Sequence, residues 1–405
     1  MKQWSIGDRE FSERVGAQHA RYQELRRRSD EARMIEAAYG PRPTAARWVW
    51  GWLGAFTRRL LVGGEQRAMT GRARGFTLIV LLTLLLVPMA AGHPRTAGAV
   101  HDGNGGTIWV TNRDRNEVAV FAAADGTLLA TIPVGGEPIG IISPLGSGRV
   151  YVTNEAGNSV SVIDMRRLEV VKTIPTGPRP HHMASSQNGH FVYFGEFGTN
   201  KVGVIDTRSD TLVAEYVAGP PTARTHAVAV SRDGKLLLAT NDVANTLVAL
   251  DAATGEQRWS LDLGSFPYEA AIDATGKVAY VSLRRANKVV AIDLESQRVY
   301  GESAVGTEPV TLQLSSNGKL LAVALRTSPA ALGLMDTTTG AVERVALPGP
   351  AGHNWLSPGA HTSYVAVEGG NAGVAVVDHA TKQVTVYPYP GGGRPHGVFF
   401  APGAR

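Results

Sequence analysis

The 405-residue chain has no cysteine. That single absence removes disulfides, thiolate-built zinc sites, covalent c-type haem attachment and a lipid-modified N-terminal cysteine. It leaves the redox compartment open. No G-x-S-x-G elbow, phosphate-cradling glycine loop, HExxH helix or calcium-loop motif is present either, so esterase, nucleotide, zincin and EF-hand chemistry have no local signature. Also missing is a basic surface on the main body of the chain. Residues 1–75 carry 15 Lys or Arg against 8 Asp or Glu, leaving 25 against 27 for residues 76–405. The basic pI of 9.4 therefore belongs to the N-terminal part, and the argument for nucleic acid as a partner falls with it.

Residues 1–68 differ in kind from the rest of the chain. Glu10–Ala38 spaces charges three and four apart among good helix formers, which predicts an exposed helix stopped by Pro41 and Pro43. Arg47–Leu61 then sets Trp48, Trp50 and Trp52 beside Arg58 and Arg59, a composition that suits either a membrane interface or a short accessory helix. Phe76–Gly92 is an apolar run with Arg72 and Arg74 before it and small residues after it, the layout of a signal peptide over residues 69–99. Two readings stand. Either translation starts at Met69 and residues 1–68 are an upstream artefact, or the run is a signal anchor behind a cytoplasmic N-terminal segment. Both export the rest of the chain to the periplasm or beyond, and membrane contact is confined to the 76–92 run if it stays uncleaved.

From Thr107 onward the chain repeats. Strand-like segments start at Thr107, Arg149, Phe191, Leu236, Val278, Leu320 and Ser363, in steps of 42, 42, 45, 42, 42 and 43 residues. Each unit reads as four short strands with Gly, Pro, Asn and Asp turns between them, as in RVYVTN, SVSVID, LEVVKTIP and HHMASS. A period near 40 with four strands is the signature of a β-propeller, here of seven blades over residues 107–403. The first repeat lacks an innermost strand, and His396–Pro402 is an unpaired strand of that type, so the last strand is expected to close the first blade.

Tyr151–Asn154 (YVTN) and the variants WVTN and LATN at Trp109–Asn112 and Leu238–Asn241 resemble the YVTN family of secreted seven-bladed propellers. The third strands ending at Asp164, Asp206 and Asp293, and the turns SRDGK and SSNGK, support the likeness. The resemblance implies the fold and an extracytoplasmic location. Function is not implied, because propellers related to that family include lactonase-type and d1-haem-type proteins.

One ring of positions carries chemistry. The residue that opens each innermost strand, after a Gly- and Pro-rich loop, is Ile139, His181, His226, Tyr268, Val310, His353 or His396, with His353 able to slip one place against Gly352. Four imidazoles brought to one axis suit three roles: filling the channel mouth, binding an organic anion when protonated, or holding copper or zinc through neutral nitrogens. His182 follows His181 and, on a regular strand, points away from the channel. A wider ring at the ends of the second strands, Asn112, Asn154, Glu196, Asn241, Leu283, Leu325 and Glu368, adds Glu196 and Glu368 as acid/base or ligand partners. Arg284, Arg285 and Arg326 stand nearby as attractors for an anion. The recurrent Asp at 164, 206, 251, 293, 336 and 378 reads as turn capping. The sequence thus points to an exported binding or interaction module, its partner a small molecule or protein at the propeller face. The alternative is an enzyme of lactonase type, or a metal-dependent oxidoreductase, using the central histidines.

Overall fold

In the computed structural model, residues 105–403 apart from Ser328 are described; the N-terminal extension and apolar export segment expected over residues 1–99 lie outside them. Among the described residues, 28 strands form seven four-stranded antiparallel sheets, the blades of a propeller. The seven innermost strands are Pro138–Ile142, Pro180–Ser185, Thr225–Val230, Pro267–Ile272, Pro309–Leu314, Ala351–Leu356 and Pro395–Ala401. We number the blades from Thr107, so that Pro395–Ala401 belongs to blade 1 and the others open blades 2 to 7. Closure occurs as the sequence implies: Thr107 pairs with Ala401, Trp109 with Phe399 and Asn112 with Pro395.

Burial explains the strand pattern. Second strands sit between two neighbouring blades, so Thr107–Asn112 is buried at every position, whereas the outermost Thr211–Val217 alternates between exposed and half-buried. Core clusters lie between blades: Ile108, Val110 and Phe121 of blade 1 pack on Tyr364, Ala366 and Val374 of blade 7. The second strand of blade 7 starts at Thr362, one residue before the sequence expectation, which makes every step 42 except the 45 between Phe191 and Leu236. The recurrent aspartates cap turns. Asp251 Oδ1 accepts from the Ala253 and Thr254 N–H groups, and Asp378 Oδ1 from Ala380 and Thr381.

One irregularity governs the centre. In every blade the ladder between the first and second strands slips near the start of the innermost strand, for example between Pro180 and Met183 and between Ala351 and Asn354. A bulge suspends strict alternation and re-aims side chains. Two consecutive residues in six of the blades, and His226 alone in blade 4, are thereby released from the period of two just where the strands meet at the hub.

Candidate functional site: a five-histidine hub

The bulge corrects the expectation for His182. Instead of pointing away, it is buried at the centre of the hub, and its ring lies 4.6 Å from those of His181 and His226 and 4.0 Å from His353. His353 takes the slipped register: Ala351 pairs with Val367 as Pro180 pairs with Glu196, so Gly352 matches His181 and His353 matches His182. The hub thus draws His181, His226, His396 and Tyr268 from the first bulge position and His182, His353 and Glu269 from the second. In the other four blades the second position is Gly140, Ala227, Thr311 or Gly397. A Cβ on Gly140 would meet the His181 carbonyl oxygen at 2.7 Å, and one on Gly397 the Ile139 oxygen at 2.2 Å, so glycine at these places lets the neighbouring blade's backbone approach closely.

Hydroxyls on the second strands pin the bulges. Thr153 Oγ1 donates to the His181 carbonyl at 2.7 Å, Thr240 Oγ1 to that of Tyr268 at 2.9 Å and Ser282 Oγ to that of Val310 at 2.7 Å. The Glu269 N–H in turn donates to Ser282 Oγ. His181 and Tyr268 are therefore held by the neighbouring blade as well as their own.

The side-chain contacts divide the hub into two triads. Donor atoms of His182, His353 and His396 lie within 4.8 Å of one another, and so do those of His181, His182 and His226. His182 Nδ1 is 2.6 Å from Glu269 Oε2 and its Nε2 is 2.7 Å from His353 Nε2, so one proton occupies each contact. His226 Nδ1 donates to the Tyr268 carbonyl at 2.9 Å. His396 Nδ1 faces Glu368 Oε1 at 3.4 Å, and Arg326 holds both oxygens of Glu368 at 2.9 Å. Two nitrogens, His181 Nδ1 and His396 Nε2, are buried with no hydrogen-bond partner.

Burial keeps the cluster neutral. It pushes His182 down to about 3 and lowers His181, His226, His353 and His396 well below the usual imidazole range, with the neighbouring rings adding to the effect. The same desolvation raises the Glu269 carboxyl well above its ordinary value and the Tyr268 phenol to about 12. Neutral imidazoles are the ligand form for metals. Binding an anion through the ring would require protonating them against this desolvation.

Above the hub runs a rim of ion pairs. Arg113 bridges Glu137 and Glu155 at 3.0 Å each, Arg224 pairs with Asp242 at 2.8 Å and Arg284 with Glu308 at 3.1 Å. Arg284 and Arg326 are therefore already engaged with carboxylates, while Arg285 lies 4.7 Å over the Phe266 ring. Phe197 is flanked by Arg179 and Arg224, at 4.6 and 4.3 Å, and its own ring is 5.0 Å from that of His181. Sequence reasoning misses Glu269 and the full role of His182, since only the bulges at Pro267–Ala270 and Pro180–Met183 turn them toward the hub, and it misses Phe197, which comes from the turn after Phe191–Glu196.

The two carboxylates of the wider ring part company. Glu368 lies one place past the strand end, at Val367, and so reaches His396. Glu196 takes the place held by Asn112 and Asn241, whose amides donate to the loop carbonyls of Gly392 and Ala218. Its Oε2 accepts from Thr199 Oγ1 at 3.0 Å, its Oε1 has no partner, and burial lifts the carboxyl to about 7. A raised folded-state value means the native protein holds this proton more tightly than the unfolded chain. The resulting stabilisation is full below about 4.5 and is lost as pH climbs through about 7. Glu196→Gln should therefore be more stable than the parent at pH 8, by about 1–3 kcal/mol, and no more stable at pH 4. Urea midpoints of both proteins at the two pH values check this, and an unchanged difference between them would refute it.

Comparison with known proteins agrees with the fold. A family model described as outer membrane protein assembly factor BamB matches residues 198–386, less than half of the chain. No curated protein sequence matches the chain. Among solved structures, hydrazine synthase of Kuenenia stuttgartiensis is similar at 22% identity and a TM-score of 0.54, over 60% of this chain and 76% of that one. A putative 6-phosphogluconolactonase of Bacteroides fragilis reaches 0.60 at 19% identity, over 74% of this chain and 98% of its own. The chain is a seven-bladed β-propeller. Dihydro-heme d1 dehydrogenase NirN, solved in complex with DHE, shares that fold at 15% identity and a TM-score of 0.53, over 73% and 75% of the two chains. At such identities the likeness is one of fold alone. Among the described residues, no helix is long and apolar enough to cross a membrane.

Proposed function

We propose that this protein is an exported binding module, related to the YVTN-type propellers, whose hub takes up a transition-metal ion, copper or zinc. The export reading rests on the 69–99 segment and agrees with a partial match to a family named for outer-membrane assembly. The observation that carries the metal reading is the triad His182, His353 and His396, in which His182 and His396 are buried and His353 is half-buried, with donor atoms within 4.8 Å. His396 Nε2, buried with no hydrogen-bond partner, is a nitrogen available to an ion. Two ligands also have the outer support that metal-bound imidazoles generally show, His182 from Glu269 and His396 from Glu368. With no thiolate and no carboxylate in the triad, nitrogen-preferring copper or zinc fits better than magnesium or calcium. Three protein ligands leave a coordination position open, which favours, as the second reading, a metal-dependent enzyme.

The test is metal content. Full-length protein produced with copper or zinc and dialysed against a weak chelator should retain the ion in at least stoichiometric amount, and a His353→Ala, His396→Ala double variant should retain less by the ion of that triad. Retention no greater than that of the double variant would overturn the reading.

A further inference from the structure

We propose that the hub holds two metal ions, one in each histidine triad, with His182 shared between them. The inference rests on the metal reading above and extends it to the number and linkage of the ions. The five imidazoles do not converge as one set: the donor atoms that come within 4.8 Å of one another separate into His182, His353, His396 and His181, His182, His226. An ion in the first triad satisfies His396 Nε2 but leaves His181 Nδ1, in the second, buried and alone; an ion in the second does the reverse. Only occupation of both removes both orphaned nitrogens.

The second triad has the features of a built site. His181, His182 and His226 are all buried, their rings are 4.4 to 4.6 Å apart, and His226 is oriented through Nδ1 by the Tyr268 carbonyl. Phe197, with Arg179 and Arg224 against its ring, lies beside His181 and His226 and excludes solvent from that side. Sharing is chemically available to His182 because each of its ring nitrogens already shares a proton, Nδ1 with Glu269 and Nε2 with His353. An ion in each triad replaces one of these protons. His182 then bridges as an imidazolate, two protons leave for two ions bound, and the freed Glu269 carboxylate balances part of the added charge.

Titration of the metal-free full-length protein with Cu(II), read by native mass spectrometry and by electron paramagnetic resonance, tests the proposal. Two coppers per chain are expected, with the low-temperature signal well below that of two independent spins because the imidazolate couples them. His226→Ala and His396→Ala, each confirmed as folded by circular dichroism, should each bind one copper and show a full one-spin signal. One copper in the unsubstituted protein overturns the second site and leaves the metal reading standing, whereas none overturns both. Two coppers giving two full spins, unchanged by His182→Ala, would refute the sharing.

Discussion

A chain ending at Arg394 is expected not to fold into a stable propeller. The segment it loses, Pro395–Ala401, is buried at all seven positions and forms the innermost strand of blade 1. Val398, Phe399 and Phe400 alone leave water for contacts with blades 1, 2 and 7, including the Phe400 ring stacked on Tyr364 at 5.0 Å and Phe399 edge-on to Trp355 at 5.1 Å. At about 1.5–3 kcal/mol for each large apolar side chain, their burial contributes about 5–9 kcal/mol. That equals most or all of the net stability of an ordinary domain, about 5–15 kcal/mol. The deletion also bares Thr107–Asn112 as an unpaired, apolar strand edge, so the product should aggregate. Size-exclusion chromatography and a denaturant titration of the shortened chain give the result. A monomer with an unchanged unfolding midpoint would mean that closure does not hold the ring.

His182→Ala is expected to lower metal affinity by at least about 100-fold while the propeller stays folded. Loss of an outer partner already costs metal sites about 10–100-fold, and Glu269→Gln, which keeps a hydrogen bond to His182 Nδ1, should fall in that range. Removing the ligand itself must cost more, because His182 belongs to both triads. The fold should tolerate the change. His182 lies at the unpaired bulge between Pro180 and Met183, so no ladder hydrogen bond depends on its side chain, and the polar hub can admit water in its place. Isothermal titration with the metal, beside a thermal melt of each variant, separates the two effects. An affinity within about threefold of the parent, less than even the loss of an outer partner costs, would place the ligands elsewhere.

The architecture is legible in the sequence and the hub only partly so, because the two depend on different things. Blade number, the strand bounds at Thr107–Asn112 and Arg149–Asn154, and closure by the last strand are all set by local alternation and spacing, which a sequence displays directly. The positions of His181, His226 and His396 at the hub come from the same spacing. That of His182 does not, because the rule of alternating faces fails at a bulge, and a bulge is a property of pairing between strands. Glu269 is hidden for the same reason, one place after Tyr268 in another blade. Glu196 and Glu368 look equivalent in the sequence, yet one residue of register sends the first to Thr199 and the second to His396.

The central claim is that the hub histidines ligate metal, and anomalous scattering shows this most directly. Crystals of the metal-loaded protein, measured above and below the absorption edge of copper or zinc, should give a difference peak at the propeller axis within about 2.0–2.1 Å of His182, His353 and His396 nitrogens, the usual metal–imidazole distance. A hub without such a peak, in protein that carries the metal elsewhere or not at all, would contradict the account.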